Sequence, residues 1–340
     1  MDLDLSDFGI DAAAMRVLLA SLRDGRAHSC DDLAGVLGVG ADQVRQAVRL
    51  LQGWGLRSGS GSDRLYRFPF VPELLDRAAI EAALPCTLRQ NLGMVLYLST
   101  DSTNDRIWSQ SDRSETWQVC LADHQSRGRG RRGRVWHSPL GGVLCLSLLW
   151  RPQPGLASLD GLSLCVGLVL LQAVEALGIG GLSLKWPNDV LAWGKKLAGT
   201  LIETRVSAGG QWSIVIGLGL NLCLAPEDIS KLDQPAVDLG SLSSVPIDKA
   251  KLVAQLLVRL VGMLEQFNDY GFSFFRDAWC RYHAFSGRRL HLDTGDGESV
   301  SGLALGVDDC GALELQTGQG VRLFRVGDVT WQGVGEREHS

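Results

Sequence analysis

The chain has 340 residues and a formal net charge of −5, with 45% of its residues apolar and 21% charged. That composition suits two or three ordinary cores and excludes a general nucleic-acid coat, so any nucleic-acid contact must come from a local surface. Eight cysteines stand singly, with no C-x-x-C and no paired His spacing; this fits reduced thiols in a cytoplasmic protein and excludes a disulfide framework or a zinc site.

The acidic start MDLDLSDFGID has no basic segment, so no signal peptide is expected. Met15, Leu18, Leu19 and Leu22 then fall on one face of a helix. Ser29 with Asp32 offers a cap for a second helix carrying Leu33, Val36 and Leu37. After the turn Gly38-Val39-Gly40, Val44, Ala47, Val48 and Leu51 mark a third. Leu56-Arg57, a turn at GSGSD and the alternating RLYRF predict a β-hairpin. Three helices and a hairpin make the pattern of a winged helix-turn-helix. The third helix would then expose Asp42, Gln43, Arg45, Gln46 and Arg49, which suits base edges and phosphates or equally a plain solvated face. Residues 1–80 hold nine Lys and Arg against eleven Asp and Glu, a weak balance for DNA binding.

A proline-punctuated linker with one short helix covers 69–87. The second region runs from about Leu88 to Ser286. Strands are predicted at Met94–Leu98, Val143–Trp150, Leu182–Trp186, Lys196–Glu203 and Trp212–Leu220, with an amphipathic helix at Lys249–Asn268. The apolar stretch Gly161–Gly181 is broken by Gln172 and Glu175, short of the ~20 apolar residues a membrane span needs, and reads as a buried helix. Mixed elements without regular βαβ alternation indicate an α+β fold. Beyond it, period-two stretches at Arg289–Leu292, Val300–Val307, Ala312–Gln316 and Val321–Phe324 describe a small barrel of SH3-like size.

The stretch HQSRGRGRRGRVW, residues 124–136, carries Arg127, Arg129, Arg131, Arg132 and Arg134 among Gly128, Gly130 and Gly133. Guanidinium forks match phosphate or carboxylate oxygens two at a time, and glycine lets the backbone approach a ligand. Five repelling charges predict a loop that is disordered until an anion neutralises it; a solvated RG-rich loop or an RNA-contacting tract is the plainer alternative.

In Lys185–Glu203, Pro187 should end a strand and leave Asn188 and Asp189 at its mouth. The Asn188 amide suits a purine edge, and Asp189 reads equally as a turn carboxylate. Lys196, beginning the returning strand, can bridge α-phosphate oxygens or sit idle at the rim, and Lys195 reads as the idle one. Asp101-Ser102-Thr103-Asn104 suits a polar head group but, taken alone, reads as an N-cap, and Gln125 is weak by itself.

Together, DSTN at 101–104, Gln125 followed by GRGRRGRVW at 128–136, KWPND at 185–189, KLAG at 196–199 and IVIGLGLNL at 214–222 resemble the biotin–protein ligases. The resemblance is to the bacterial bifunctional type, at once biotin ligase and biotin operon repressor, and it spans the whole chain. It implies a winged helix-turn-helix at 1–68, a linker at 69–87, a class II synthetase-like ligase domain of mixed α/β structure at 88–286, and an SH3-like β-barrel at 287–335.

The implied reaction joins biotin and ATP, with Mg²⁺, into biotinyl-5′-AMP and then passes biotin to a lysine of a biotin carboxyl carrier protein of acetyl-CoA carboxylase. By resemblance Ser102, Thr103, Asn104 and Gln125 hold the ureido end of biotin. Arg129, Gly130 and Arg131 hold the carboxyl–phosphate region, and Gly128, Arg132, Arg134 and Asp189 support the nucleotide. Trp136 and Asn188 contact adenine, and Lys196 with Arg131 carries the chemistry. No metal motif is present, so Mg²⁺ comes with ATP. The resemblance also implies operator DNA read by Gln43, Arg45, Gln46 and Arg49, a homodimer formed on adenylate binding, and no membrane association. Two features depart from it: His124 and Arg127 stand where a less charged neighbour is expected, and the acidic first region leaves a ligase that does not bind DNA as the alternative. A lipoate–protein ligase would share the fold but not GRGRRGR.

Overall fold

The computed structural model describes residues 10–59, 65–109, 116–153, 155–295 and 297–331. Most of the predicted GSGSD turn and residues 332–335 of the third region lie outside the described residues.

Three helices open the chain: α1 (Ala12–Leu22), α2 (Cys30–Leu37) and α3 (Ala41–Gly53). Asp11 caps α1 by accepting from Ala14 N at 2.7 Å, and Ser29 Oγ caps α2 by accepting from Asp32 N at 3.1 Å. Gly38, at φ 67°, ends α2 in the left-handed conformation that favours glycine. Met15, Leu18, Leu22, Leu33, Val48 and Leu51 close a core between the helices. The strand β2 (Leu65–Tyr66) pairs antiparallel with β1 (His28–Ser29), which precedes α2. The predicted hairpin partner, Leu56-Arg57, is no strand. Leu56 is buried under the helices, and Arg57 reaches across to Asp228 at 2.9 Å, so this segment follows an interdomain contact; Gly59 N, donating to Arg67 O at 2.7 Å, ties it to the β2 side.

The middle region comprises α4 (Arg77–Ala83), α5 (Cys86–Gln90), β3 (Leu92–Tyr97), α6 (Thr103–Trp108), β4 (Trp117–Ala122), β5 (Val143–Trp150), α7 (Leu162–Glu175), β6 (Leu182–Lys185), β7 (Asp189–Ala192), β8 (Lys195–Val206), β9 (Trp212–Asn221), α8 (Pro226–Ile229), α9 (Leu239–Leu242), α10 (Lys249–Tyr270) and α11 (Arg276–Arg281). Its seven strands form one mixed sheet in the order β3-β4-β5-β9-β8-β7-β6, with only β3 and β4 parallel. Helices α7 and α10 pack with the sheet in one apolar core. Helix α7 ends well before Gly181, and Gly178 at φ 80° turns the chain back towards β6. Strands β4 and β7 were not predicted. Every residue in them is buried, so neither shows the alternation that marks a half-buried strand.

The last region is a five-stranded antiparallel sheet of β10 (Arg289–Asp293), β11 (Ser299–Val307), β12 (Leu313–Thr317), β13 (Gly320–Phe324) and β14 (Asp328–Trp331), ordered β13-β12-β11-β10-β14. β14 was the unpredicted member; it runs along β10 as an edge strand. All eight cysteines are free, and among the described residues no helix is long and apolar enough to cross a membrane.

The first unit docks on the middle one through a few directed contacts. Arg16 pairs with the buried Asp123 at 3.0 Å, Leu140 N donates to Trp54 O at 2.8 Å, and the Trp54 indole stacks on His124 at 5.0 Å. These contacts fall on Asp123 and His124, immediately before Gln125 and the arginine stretch, and on Leu140, just after it.

Candidate functional site

A cavity of about 750 Å³ opens where α6, the 128–136 hairpin, the β6–β7 turn, strands β8 and β9 and the edge strand β14 meet. One end is a closed polar network at the start of α6. Ser102, Thr103 and Asn104 are each 4% exposed. Gln125 Oε1 accepts from Thr103 N at 2.8 Å and Thr103 Oγ1 at 3.1 Å. Ser147, on β5, donates to Thr103 Oγ1 at 2.7 Å and lies 2.6 Å from Asn104 Oδ1. Asn104 Nδ2 donates to Glu203 at 3.0 Å. Residues read as an N-cap thus point into a cavity instead: Ser102 occupies the cap position without making a cap hydrogen bond.

The glycines of β8 and β9 shape the floor. A Cβ on Gly217 would stand 2.4 Å from Asn104 Oδ1, and one on Gly219 would stand 2.3 Å from the Trp136 indole. Gly199 and Gly219 are cross-strand partners, and a Cβ on Gly199 would meet the same indole at 3.3 Å. The ring therefore lies against bare backbone. Lys196 Nζ sits 5.3 Å from its centroid and 2.7 Å from Asp189 Oδ1, an ion pair with side chains 16% and 10% exposed. Lys196 is held from behind as well: its backbone N donates to Pro235 O at 2.9 Å and its carbonyl accepts from Val237 N at 2.9 Å. The predicted purine contact, Asn188, spends its amide within the protein, with Nδ2 donating to Thr200 O at 2.9 Å and Oδ1 accepting from Arg131 at 3.4 Å.

The arginine stretch is an ordered hairpin, where disorder was predicted. Trp136 N donates to Gly128 O at 2.8 Å, Gly130 N donates to Arg134 O at 2.7 Å, and Arg132 and Gly133, at φ 55° and 72°, make the turn. A Cβ on Gly128 would lie 2.5 Å from Trp136 O, so that arm needs glycine. Carboxylates remote in sequence neutralise the charges. Arg129 grips Asp105 through two hydrogen bonds, 2.6 and 2.8 Å, and reaches Glu203 at 3.2 Å. Asp328 on β14 accepts from Arg132 at 3.2 Å and Arg134 at 2.9 Å and lies 4.0 Å from Arg131. Arg132 also donates to Thr294 O at 2.8 Å, tying the hairpin tip to the last sheet. Arg131, half-buried, reaches into the cavity between Asn188 and Gly327 O.

Sequence reading missed Asp105, Glu203, Asp328 and Ser147, which no local pattern marks, and gave Lys185 no role although it opens the KWPND motif. The four residues predicted to read DNA line no part of this cavity. Gln43 accepts from Gly40 N at 2.9 Å and Arg45 pairs with Asp42, while Gln46 and Arg49 are exposed on α3.

His124, unexpected in this position, is absorbed by the interface: Ser99 Oγ lies 2.8 Å from Nδ1, and burial pushes its pKa down to about 4. His283, against Trp279 and without a hydrogen-bond partner among the described residues, is pushed down to about 4 by burial too. Both stay neutral in the fold but gain protons in the unfolded chain below their ordinary pKa of 6.5, so each withdraws stability as the pH falls from about 6.5 to 4. Asp123, raised to about 6 by burial, works in the opposite sense, favouring the fold as the pH falls from about 6 towards 4. The two histidines outweigh it. Urea midpoints should be lower at pH 5 than at pH 7, and His283→Phe should remove about 2 kcal/mol of that difference. An unchanged difference in the variant would refute the assignment.

Residues 96–221 match the biotin/lipoate A/B protein ligase family and residues 285–330 the biotin protein ligase C terminal domain. The bifunctional ligase/repressor BirA of Salmonella typhimurium is 32% identical over 321 residues, covering 94% of this chain and 98% of its own. The biotin--[acetyl-CoA-carboxylase] ligase of Paracoccus denitrificans is 34% identical over 241 residues, covering 69% of this chain and 98% of its own. Among solved structures, the biotin protein ligase of Aquifex aeolicus in complex with biotin and ATP superposes with a TM-score of 0.60 at 27% identity, over 71% of this chain and 98% of that one. Identity at this level along nearly the full length of a relative, together with both domain matches, means that this chain belongs to the biotin protein ligase family.

Proposed function

We propose that the protein is an ATP-dependent biotin–protein ligase that makes biotinyl-5′-AMP and transfers biotin to a lysine of a biotin carboxyl carrier protein. The observation that carries this reading is the meeting, in one cavity, of the buried polar cluster at Ser102–Asn104, the Trp136 ring, Lys196 and the arginine hairpin. Ser102, Thr103, Asn104 and Gln125 match the donors and acceptors of a ureido ring. Trp136 takes the adenine, with Asn188 positioning Arg131 beside it, and Lys196 with Arg131 meets the α-phosphate as the biotin carboxylate attacks it. Mg²⁺ enters as the counter-ion of the triphosphate. Closed over the anhydride, the hairpin keeps water out until the acceptor amine arrives.

Arg129 plays a different part from the one its sequence position implies: it pins one arm of the hairpin to α6 and β8. Asp105→Asn should loosen that arm. Both members of the pair are about 40% exposed, so the contact contributes about 1 kcal/mol or less, and the adenylate should leave roughly fivefold faster. Dissociation of preformed adenylate, followed by intrinsic tryptophan fluorescence, measures this; an unchanged rate would leave the hairpin pinned elsewhere.

Biotin, ATP, Mg²⁺ and a carrier domain, incubated with the protein and examined by mass, test the main reading. The expected result is a carrier heavier by one biotinyl group, with pyrophosphate released. Neither product would overturn it.

A second reading, repression of biotin genes, is favoured by the three-helix first unit and its short strand pair, read as a winged helix-turn-helix over 1–68 and joined by the 69–87 linker to a catalytic domain at 88–286. The exposed Gln46 and Arg49 of α3, with Gln43 and Arg45, would face operator DNA, and the adenylate would favour a homodimer. The sheet at 287–335 is read as an SH3-like barrel, and the reduced cysteines suit the cytoplasm. A gel-shift titration on the upstream DNA of the chain's own biotin genes, with and without biotin and ATP, tests this; no shift at moderate salt leaves a ligase alone.

A further inference from the structure

Lys185 ends β6 and stands across the β6–β7 hairpin from Asp189, its cross-strand partner. It lines the cavity and is half-buried. The other cations that line the cavity have partners: Arg129 is held by Asp105 and Glu203, Arg131 by Asn188 and Gly327, Arg134 by Asp328, Lys196 by Asp189 and Lys231 by Asp228. Lys185 Nζ, among the described residues, has neither a hydrogen bond nor an ion pair, and the carboxylate opposite it is already taken by Lys196 at 2.7 Å. A half-buried ammonium without a partner is costly, and burial holds its pKa below the ordinary value. The charges acting on it are those of Asp189 on β7, Lys196 on β8, Asp328 on β14 and Arg134 of the hairpin.

We propose that Lys185 meets the β- and γ-phosphates of ATP and so stabilises the departing pyrophosphate, an inference that rests on the ligase reading above. With adenine against Trp136 and the α-phosphate at Lys196 and Arg131, the remaining phosphates extend past the β6–β7 turn, where Lys185 is the uncommitted donor. A biotin carboxylate oxygen forms a bond to the α-phosphorus, the bond from that phosphorus to the bridging oxygen breaks, and the electron pair leaves on pyrophosphate. No proton has to move: the ammonium donates hydrogen bonds to leaving-group oxygens whose charge grows as the bond breaks. Biotinyl-5′-AMP has no β- or γ-phosphate, so this lysine has no part in the transfer to the acceptor.

That asymmetry sets the test. Lys185→Met keeps length and removes charge; Lys185→Arg keeps charge. In pyrophosphate release with biotin and MgATP, Lys185→Met should lower kcat/KM for ATP by about 100-fold, the scale of losing one preorganised donor. Inhibition by added pyrophosphate should weaken in parallel, and Lys185→Arg should recover part of both. Transfer from preformed biotinyl-5′-AMP to a carrier domain should stay within about twofold of the unmodified protein. Pyrophosphate release within threefold of normal in Lys185→Met, or an equal fall in both half-reactions, would overturn the proposal while leaving the ligase reading intact. An unmodified protein that releases no pyrophosphate would sink the ligase reading itself, before any variant is compared.

Discussion

Lys196→Ala is expected to stop adenylate formation in a protein that still folds. Its ammonium is confined by the Asp189 carboxylate on one side and the Trp136 ring on the other, and its backbone is tied on both sides to residues 235–237. It therefore enters the reaction already oriented, and charge developing on the α-phosphate meets a donor that need not reorganise. Losing such a donor slows the step roughly 100- to 1,000-fold, or about 3–4 kcal/mol. The fold pays less, because Asp189, although left without its partner, lies close to the uncommitted Lys185. Pyrophosphate release and thermal melting, measured on the same preparation, separate the two effects. Near-normal release would remove Lys196 from the chemistry; collapse of the melting transition would make it a structural residue.

Gly219→Ala is expected to damage the nucleotide site almost as severely, through a single methyl group. Strand β9 cannot retreat, since Gly219 is paired with Cys145 on one side and Gly199 on the other. The new Cβ would stand 2.3 Å from the Trp136 indole, so the ring has to swing away, and with it the surface proposed for adenine. We expect KM for ATP to rise at least about tenfold, equivalent to about 1.4 kcal/mol, with a stability cost of about 1–3 kcal/mol from overpacking. An unchanged KM would mean that the indole is not the adenine platform.

Much of the architecture was legible because it depends on local chemistry. The helix faces of Met15–Leu22 and Val44–Leu51, the cap at Ser29, the turn at Gly38 and strand Val143–Trp150 all follow from residue spacing and side-chain type. Strands β4 and β7 escaped because burial on both faces erases alternation. The pairing of β2 with His28–Ser29 escaped because a two-residue strand carries almost no pattern. The arginine stretch is the most instructive case. Its composition announces an anion site, yet the same charges are also attracted to carboxylates 24, 74 and 194 positions away, and these turn a self-repelling loop into a fastened hairpin.

What the residue order by itself determined is the inventory: three helices and the strand in RLYRF, an α+β body, a run of small antiparallel strands, and the chemical types gathered at 101–104, 125–136, 185–189 and 196–199, which together pointed to the biotin–protein ligases. What only the tertiary structure decided is which charge meets which. Arg129 is tied down at Asp105, Arg134 is held from β14 and Lys196 is oriented by Asp189, while Lys185, among the described residues, has no hydrogen bond or ion pair. The physical reason is that spacing along a chain encodes the period of a helix or strand, whereas ion pairing depends on distance through space, which exists only once the sheet has brought β6, β8, α6 and β14 around one cavity.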